Sequence, residues 1–422
     1  MSDRRLPLRP DLDQLKHQAK DLLRAIHAGE PNAVAELRTH HPEKIEPAAA
    51  KLADAQLVLA RSYDASSWPR LVQACQLIDG IWRDDVDAVM NLVIKHPELL
   101  HEHATIRDSN WGPPMTYAAN LGRDRIIAMF RKLGARDTEW ALGRAVLQGK
   151  IATARMLYEM IEDPRRPPGL AGAAYTLSVT GTAFAFEIGA RIVDELGVVD
   201  SNTMEHLLGT DSRNPPAKHR ILEMYVEHGF VPPDTPVMAI HRGRLDLLED
   251  HLRRDPSLLT RTFGVNDVFP PEAGCRNFDG LAWQGTPLTG ATLLHICVYF
   301  DEIDIARWLL DRGMDVNVRS AVDGDGFGGF TPLFATVVSQ SNFWINYGNK
   351  PQVAPFTELL LDRGADPNVR ASIRHKFEEG HGGGPVREFR DVTPISWGQQ
   401  FPGKVFVSEL AMKLIAERGG TP

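Results

Sequence analysis

Residues 290–319 read GATLLHICVYFDEIDIARWLLDRGMDVNVR. Apolar side chains recur at Leu293, Leu294, Ile296 and Cys297, then at Ile303, Ile305, Ala306, Trp308, Leu309 and Leu310, with a break at Asp301. That spacing predicts two short amphipathic helices joined by a tight turn. Thr292 is expected to cap the first helix, its hydroxyl oxygen accepting from a first-turn amide that has no partner inside the helix. Gly313 suits the left-handed backbone that closes the second helix, and Asp315 and Asn317 suit the turn that follows.

The same order recurs downstream. Thr331-Pro332-Leu333-Phe334-Ala335 opens a segment that closes in ELLLDRGADPNVR at 358–370, and Thr393-Pro394-Ile395-Ser396-Trp397 opens one that closes at Ala416-Glu417-Arg418-Gly419. Helix, turn, helix, glycine and a turn-forming Asp-Val-Asn together resemble the ankyrin repeat, a unit of about 33 residues that begins T-P-L-H-x-A. Thr292-Leu293-Leu294-His295-Ile296-Cys297 stands in that place, with Leu for Pro and Cys for Ala. The resemblance implies an all-α chain, an ankyrin-type α-solenoid of stacked helix-turn-helix units with a concave face and long inserted loops, each unit burying its apolar side only against a neighbour. It also places His295 where an imidazole ties neighbouring turns by hydrogen bonds.

Upstream, Pro113 precedes Gly134 by as many positions as Thr292 precedes Gly313, so PPMTYAANLGRDRIIAMFRKLG is in the same register. Further helical pairs are expected over 140–162, 169–197 and 219–255. Helical segments over 12–28, 32–40, 52–63, 67–77 and 86–99 lack the signature. They resemble the N-terminal part of bacterial ankyrin-repeat proteins and read as a capping region, which needs a polar outer face. The division expected is therefore 1–110 as cap, 111–255 as degenerate repeats and 256–422 as repeats with insertions. The insertions run over 262–290, 320–330, 341–355 and 371–391. Long connections inside a repeat array are where function concentrates.

Composition narrows the classes. A hydrophobic fraction of 43% with 24% charged residues is that of a folded chain, and a formal charge of -8 disfavours a nucleic-acid or anionic membrane surface. Three cysteines without a CxxC pair indicate neither a disulfide framework nor a cysteine zinc site. The N-terminus lacks the apolar core of a signal peptide, and no apolar run is long enough to span a bilayer. A cytoplasmic protein is the expectation.

Chemistry-bearing motifs are sparse. In DGDGFGG at 323–329 the glycines match a dinucleotide fingerprint in spacing but lack the strand-helix context, and Phe327 stands where a calcium ligand belongs. His101 and His103 have no third ligand at a recognisable distance. No cofactor and no metal are expected. HGGG at 381–384 has the form of an oxyanion loop, but no G-x-S-x-G elbow exists. The carboxylates Asp323, Asp325 and Asp391 lie in insertions on successive repeats, and two of them at suitable separation, with His295, would serve acid–base hydrolysis of a glycoside or other small-molecule ligand. Trp344, Trp397, Arg319, Arg370 and Glu378 are the residues expected to bind, because aromatic and Arg side chains dominate interface energetics. The leading expectation is a scaffold that binds a protein partner through its concave face and loops; a hydrolase with a pocket among the C-terminal insertions is the alternative.

Overall fold

The computed structural model describes residues 4–161, 172–196, 201–275, 285–376 and 385–422. It is 59% helix and 5% strand, which bears out the helical class and leaves a small exception to all-α. The chain forms two compact units, 1–173 with 180–192 and 174–179 with 193–422.

In the first unit, Pro114–Leu121 packs against both Asp124–Lys132 and Thr138–Leu147, and the last of these against Ile151–Glu159. Leu71, Ile78, Tyr117, Ile126, Phe130 and Leu142 lie in its core. Gly122 turns the chain between the first two helices with φ +70°, a conformation a side chain resists. The carboxylate of Asp137 accepts from the Thr116 amide at 2.9 Å and its hydroxyl at 2.6 Å, so the start of one helical pair is capped from the next. Tyr117 accepts from Trp82 Nε1 at 2.9 Å and donates to the Leu8 carbonyl, which fastens the N-terminal leader to this core.

In the second unit, the helices Leu293–Phe300, Pro332–Val337 and Pro394–Gln400 form one row, and Ile303–Asp311, Pro355–Asp362 and Glu409–Glu417 another. The second row ends each time in a left-handed glycine, Gly313 (φ +88°), Gly364 (φ +87°) and Gly419 (φ +87°). Polar ladders join the pairs at these ends. Arg312 pairs with Glu249, Arg363 with Asp311 and Arg418 with Asp362, at 2.8, 2.7 and 2.7 Å. Asn317 donates to the Gly364 carbonyl at 3.2 Å and accepts from the Asp366 amide at 2.7 Å; Asn368 does the same to Gly419 at 3.0 Å and Thr421 at 2.9 Å.

One local expectation is extended and another corrected. Thr292 and His295 form a capping box, in which the Thr292 side chain caps the backbone of His295 while His295 Nδ1 accepts from the Thr292 amide at 3.3 Å and lies 2.8 Å from its hydroxyl. The insertion 371–391, expected to loop, holds an antiparallel hairpin of β1 (Ala371–Lys376) and β2 (Val386–Val392). Ala371, Ile373 and His375 face inward in strict alternation, the period of a half-buried strand.

The ladders differ in weight. Arg363 and Asp311 are solvent-screened, so Asp311→Asn should cost well under about 1 kcal/mol. Asn317→Ala removes two hydrogen bonds to backbone groups and should cost about 1 kcal/mol in urea unfolding; equal losses for the two variants would contradict this ranking.

Candidate functional site

The insertion 341–355 builds a wall. Its helix Gln340–Tyr347 begins at Ser339, whose hydroxyl accepts from the Asn342 amide at 3.3 Å. The Asn342 side chain donates toward the carbonyls of Thr336, Val337 and Phe406 at 3.1–3.2 Å. One turn on, Asn346 donates to Val405 and Val407 at 2.8 and 2.9 Å. Phe343 stacks on Phe406 and Tyr347 at 5.1 and 5.3 Å. Trp344 Nε1 donates to the Asp211 carbonyl at 2.6 Å. The helix is thus fixed from several sides, while Tyr347 remains 72% exposed and Val353 54%.

Behind that wall lies a cleft of about 270 Å³ lined by Arg213, Asp301, Asn342, Trp344, Lys350 and Thr357, among others. Arg213 Nε donates to the Tyr299 carbonyl at 2.9 Å, and its guanidinium lies 5.2 Å from the Tyr299 ring centre and 5.6 Å from that of Phe300. Asp301 is the turn residue between Leu293–Phe300 and Ile303–Asp311 and adopts φ +66° where Gly122 and Gly243 serve elsewhere. Asp tolerates this region better than most side chains. Burial pushes its carboxyl up to about 6, outweighing the attraction of Arg213.

A second cluster sits deeper. Lys218, 3% exposed, donates to the Leu208 carbonyl at 3.3 Å and to His241 Nδ1 at 2.9 Å, and lies 4.2 Å from the Phe300 ring centre. All three ammonium directions are therefore used. Burial pushes it down to about 7, against the pull of Glu302. His241 passes its other nitrogen to the Val268 carbonyl at 2.8 Å, and buried Glu302 meets His219 Nε2 at 2.8 Å. Neither cluster was foreseen from sequence. A signal existed for Lys218, which shares the apolar face of its helix with Ile221, Leu222 and Tyr225; for Asp301 it was the substitution of a recurrent turn glycine.

The residues singled out from sequence are placed as follows. His295 is buried, takes the Thr292 amide on Nδ1 at 3.3 Å and directs Nε2 to the Phe330 carbonyl at 3.0 Å, bridging two helical pairs. Burial pushes it down to about 4. Asp323 and Asp325 are brought together by one guanidinium, Arg374, at 3.4 and 2.7 Å, which also meets Glu388 at 3.4 Å and lies over Phe327 at 4.0 Å. Asp323 accepts from the amides of Asp325 and Phe327, both at 2.9 Å, and these bonds hold its carboxyl below its ordinary range. Asp391 pairs with Arg370 at 3.0 Å, and Arg319 reaches the carbonyls of Gly329 and Arg370 at 3.3 Å. Trp397, expected on a binding surface, is wholly enclosed by Phe389, Phe401 and His375, and its indole N–H has no hydrogen-bond partner among the described residues. Of the expected binders among the described residues, Trp344 lines the cleft. Glu378, like 381–384, lies outside the described residues.

A family model described as Ankyrin repeat matches residues 289–321, and comparison with curated proteins gave no match. The chain thus contains one segment, 289–321, that matches an ankyrin repeat. Among the described residues no helix is long and apolar enough to cross a membrane.

The titrations of Asp301 and His295 oppose each other. Asp301 has a folded value of about 6 above its ordinary 3.8, so folding disfavours its charge; that penalty is complete above about pH 6 and fades as pH falls toward 3.8. His295 has a folded value of about 4 below its ordinary 6.5, so its neutral form contributes stability above 6.5 that is lost as pH falls toward 4. Asp301→Asn removes the first slope alone. The variant should match or exceed the parent at about pH 8, by up to about 3 kcal/mol, and its urea midpoint should fall more steeply than the parent's between about pH 6 and 4.5. Parallel curves would contradict the assignment.

Proposed function

We propose that this chain is a protein-binding scaffold whose helical pairs stack into an ankyrin-type α-solenoid, with the partner held on the concave face and the inserted loops. The family match at 289–321 supports protein recognition as the role. The observation that carries the docking surface is the insertion helix Gln340–Tyr347: two asparagines and the Trp344–Asp211 bond immobilise it, yet Tyr347 and Val353 project into solvent. Pre-ordered aromatic groups lose little entropy on binding, and such residues form interface hot spots. Lys350 adds a cation that makes no ion pair among the described residues. The three cysteines are buried free thiols, in keeping with a reducing, cytoplasmic setting, and the resemblance of the N-terminal region favours a bacterial source. The hydrolase alternative has less behind it, since Asp323 and Asp325 are clamped by Arg374 and Asp391 by Arg370.

A photo-crosslinking amino acid at Tyr347 should capture one defined protein in cells, and the same group at exposed Ile94 should not. Val353→Asp should reduce capture at Tyr347 at least roughly tenfold while the circular dichroism spectrum stays unchanged. Equal adducts at both positions, or none at Tyr347, would refute the docking surface.

A further inference from the structure

The insertion helix and the turn it rests on carry a charge pattern opposite to that of the chain. Asp and Glu number 55 against 47 Lys and Arg overall, yet residues 326–357 and 392–408 contain no carboxylate side chain, and their cations are Lys350 and Lys404. The acids that end the two stretches, Glu358 and Glu409, stand in the first turns of Pro355–Asp362 and Glu409–Glu417, where the helix dipole accounts for them.

Asn342 and Asn346 join the two stretches by their bonds to the carbonyls of 405–407. There Phe343 stacks on both Tyr347 and Phe406. Both lysines are exposed. A Cβ at Gly348 would lie 3.3 Å from Lys350 Cε, so the lysine stem folds back over the residue next to Tyr347. Lys404 gives two of its three N–H directions to the carbonyls of Gly398 and Gln399, at 3.2 and 2.7 Å, and keeps the third. On the Trp344 side of the helix, Asp211 and Asp301 both interact with Arg213, so neither lysine is needed as their counter-ion. Each lysine follows a helix C-terminus, where a cation is favourable in any case. That accounts for the lysines but not for the missing acids. An aromatic centre with an unneutralised cationic rim attracts a partner of opposite charge and repels one of like charge. Two cations on a chain of net charge -8 are too few for an anionic bilayer.

Resting on the docking surface described above, we propose that its partner presents an acidic segment, with an aliphatic or aromatic side chain on Tyr347 and Val353 and carboxylates beside Lys350 and Lys404.

Panning a phage-displayed random peptide library on the full chain, with Tyr347→Ala as the counter-selection, tests the charge preference separately from the docking surface. Clones that need Tyr347 should be enriched at least about twofold in Asp and Glu, and should bind roughly tenfold more weakly when NaCl is raised from about 0.05 to 0.5 M. Lys350→Glu should leave the circular dichroism spectrum unchanged and weaken the acidic clones roughly tenfold, whereas Lys350→Arg should bind like the parent. Tyr347-dependent clones without the acidic bias, or acidic clones indifferent to Lys350→Glu, overturn the proposal and leave the docking surface standing; the lack of any Tyr347-dependent clone overturns both. Phosphatidylserine vesicles should not bind, and Tyr347-dependent binding to them as tight as to the best clone overturns the proposal in favour of a lipid surface.

Discussion

A short helix leaves its terminal backbone groups without partners, and a unit made of two short helices carries several such groups at each turn. In the second unit this constraint is met from the neighbouring pair: Asn317 satisfies the carbonyl of Gly364 and the amide of Asp366, and Asn368 repeats the arrangement at Gly419 and Thr421. His295 does the same one layer inward, joining the start of its own helix to the Phe330 carbonyl ahead of Pro332–Val337. A single pair would leave these groups open. The ladders therefore explain why the pairs occur in series, and why the arginine before each terminal glycine recurs with an acidic partner one pair earlier.

How much of this was legible follows from which interactions are local. The two helices of 290–319, their turn and Gly313 depend on apolar spacing and backbone conformation, both written into consecutive residues, and the helices Leu293–Phe300 and Ile303–Asp311 fall where that spacing puts them. The hairpin of β1 and β2 was missed although ASIRHK alternates, because its partner strand begins only at Val386 and the alternation spans only six residues. Trp397 was ambiguous for another reason: an aromatic residue next to a turn has the same sequence signature whether it projects outward or fills the space beneath a hairpin, and here Phe389 of β2 covers it. The pairing of Asp323 and Asp325 through Arg374 was out of reach, since the guanidinium comes from another insertion altogether.

The cleft residues were the least legible because each looks ordinary alone. Arg213 follows a helix end, Asp301 occupies a turn and Thr357 sits one position from an apolar stripe. Their significance comes only from burial imposed by distant segments. Asp301 is held by its backbone in a conformation that fixes where the carboxyl points, and Arg213 is held by the Tyr299 carbonyl on the adjoining helix. The Trp344–Asp211 bond then places the insertion against the segment that carries Arg213.

That arrangement also explains why an insertion is tolerated at 341–355 at all. A loop thrown out between paired helices loses chain entropy that grows only slowly with its length, but its backbone must still be satisfied. Asn342 and Asn346 supply amide donors to the turn at Lys404–Phe406, and Phe343 covers Phe406, so the insertion stabilises a later connection that would otherwise pack poorly. The same contacts leave a gap on the opposite side, where the helix stands away from Arg213 and Thr357. The insertion is thus anchored on two sides, by Asn342, Asn346 and Phe343 toward 404–407 and by Trp344 toward Asp211, and the cleft is the space these anchors leave beside Arg213 and Thr357.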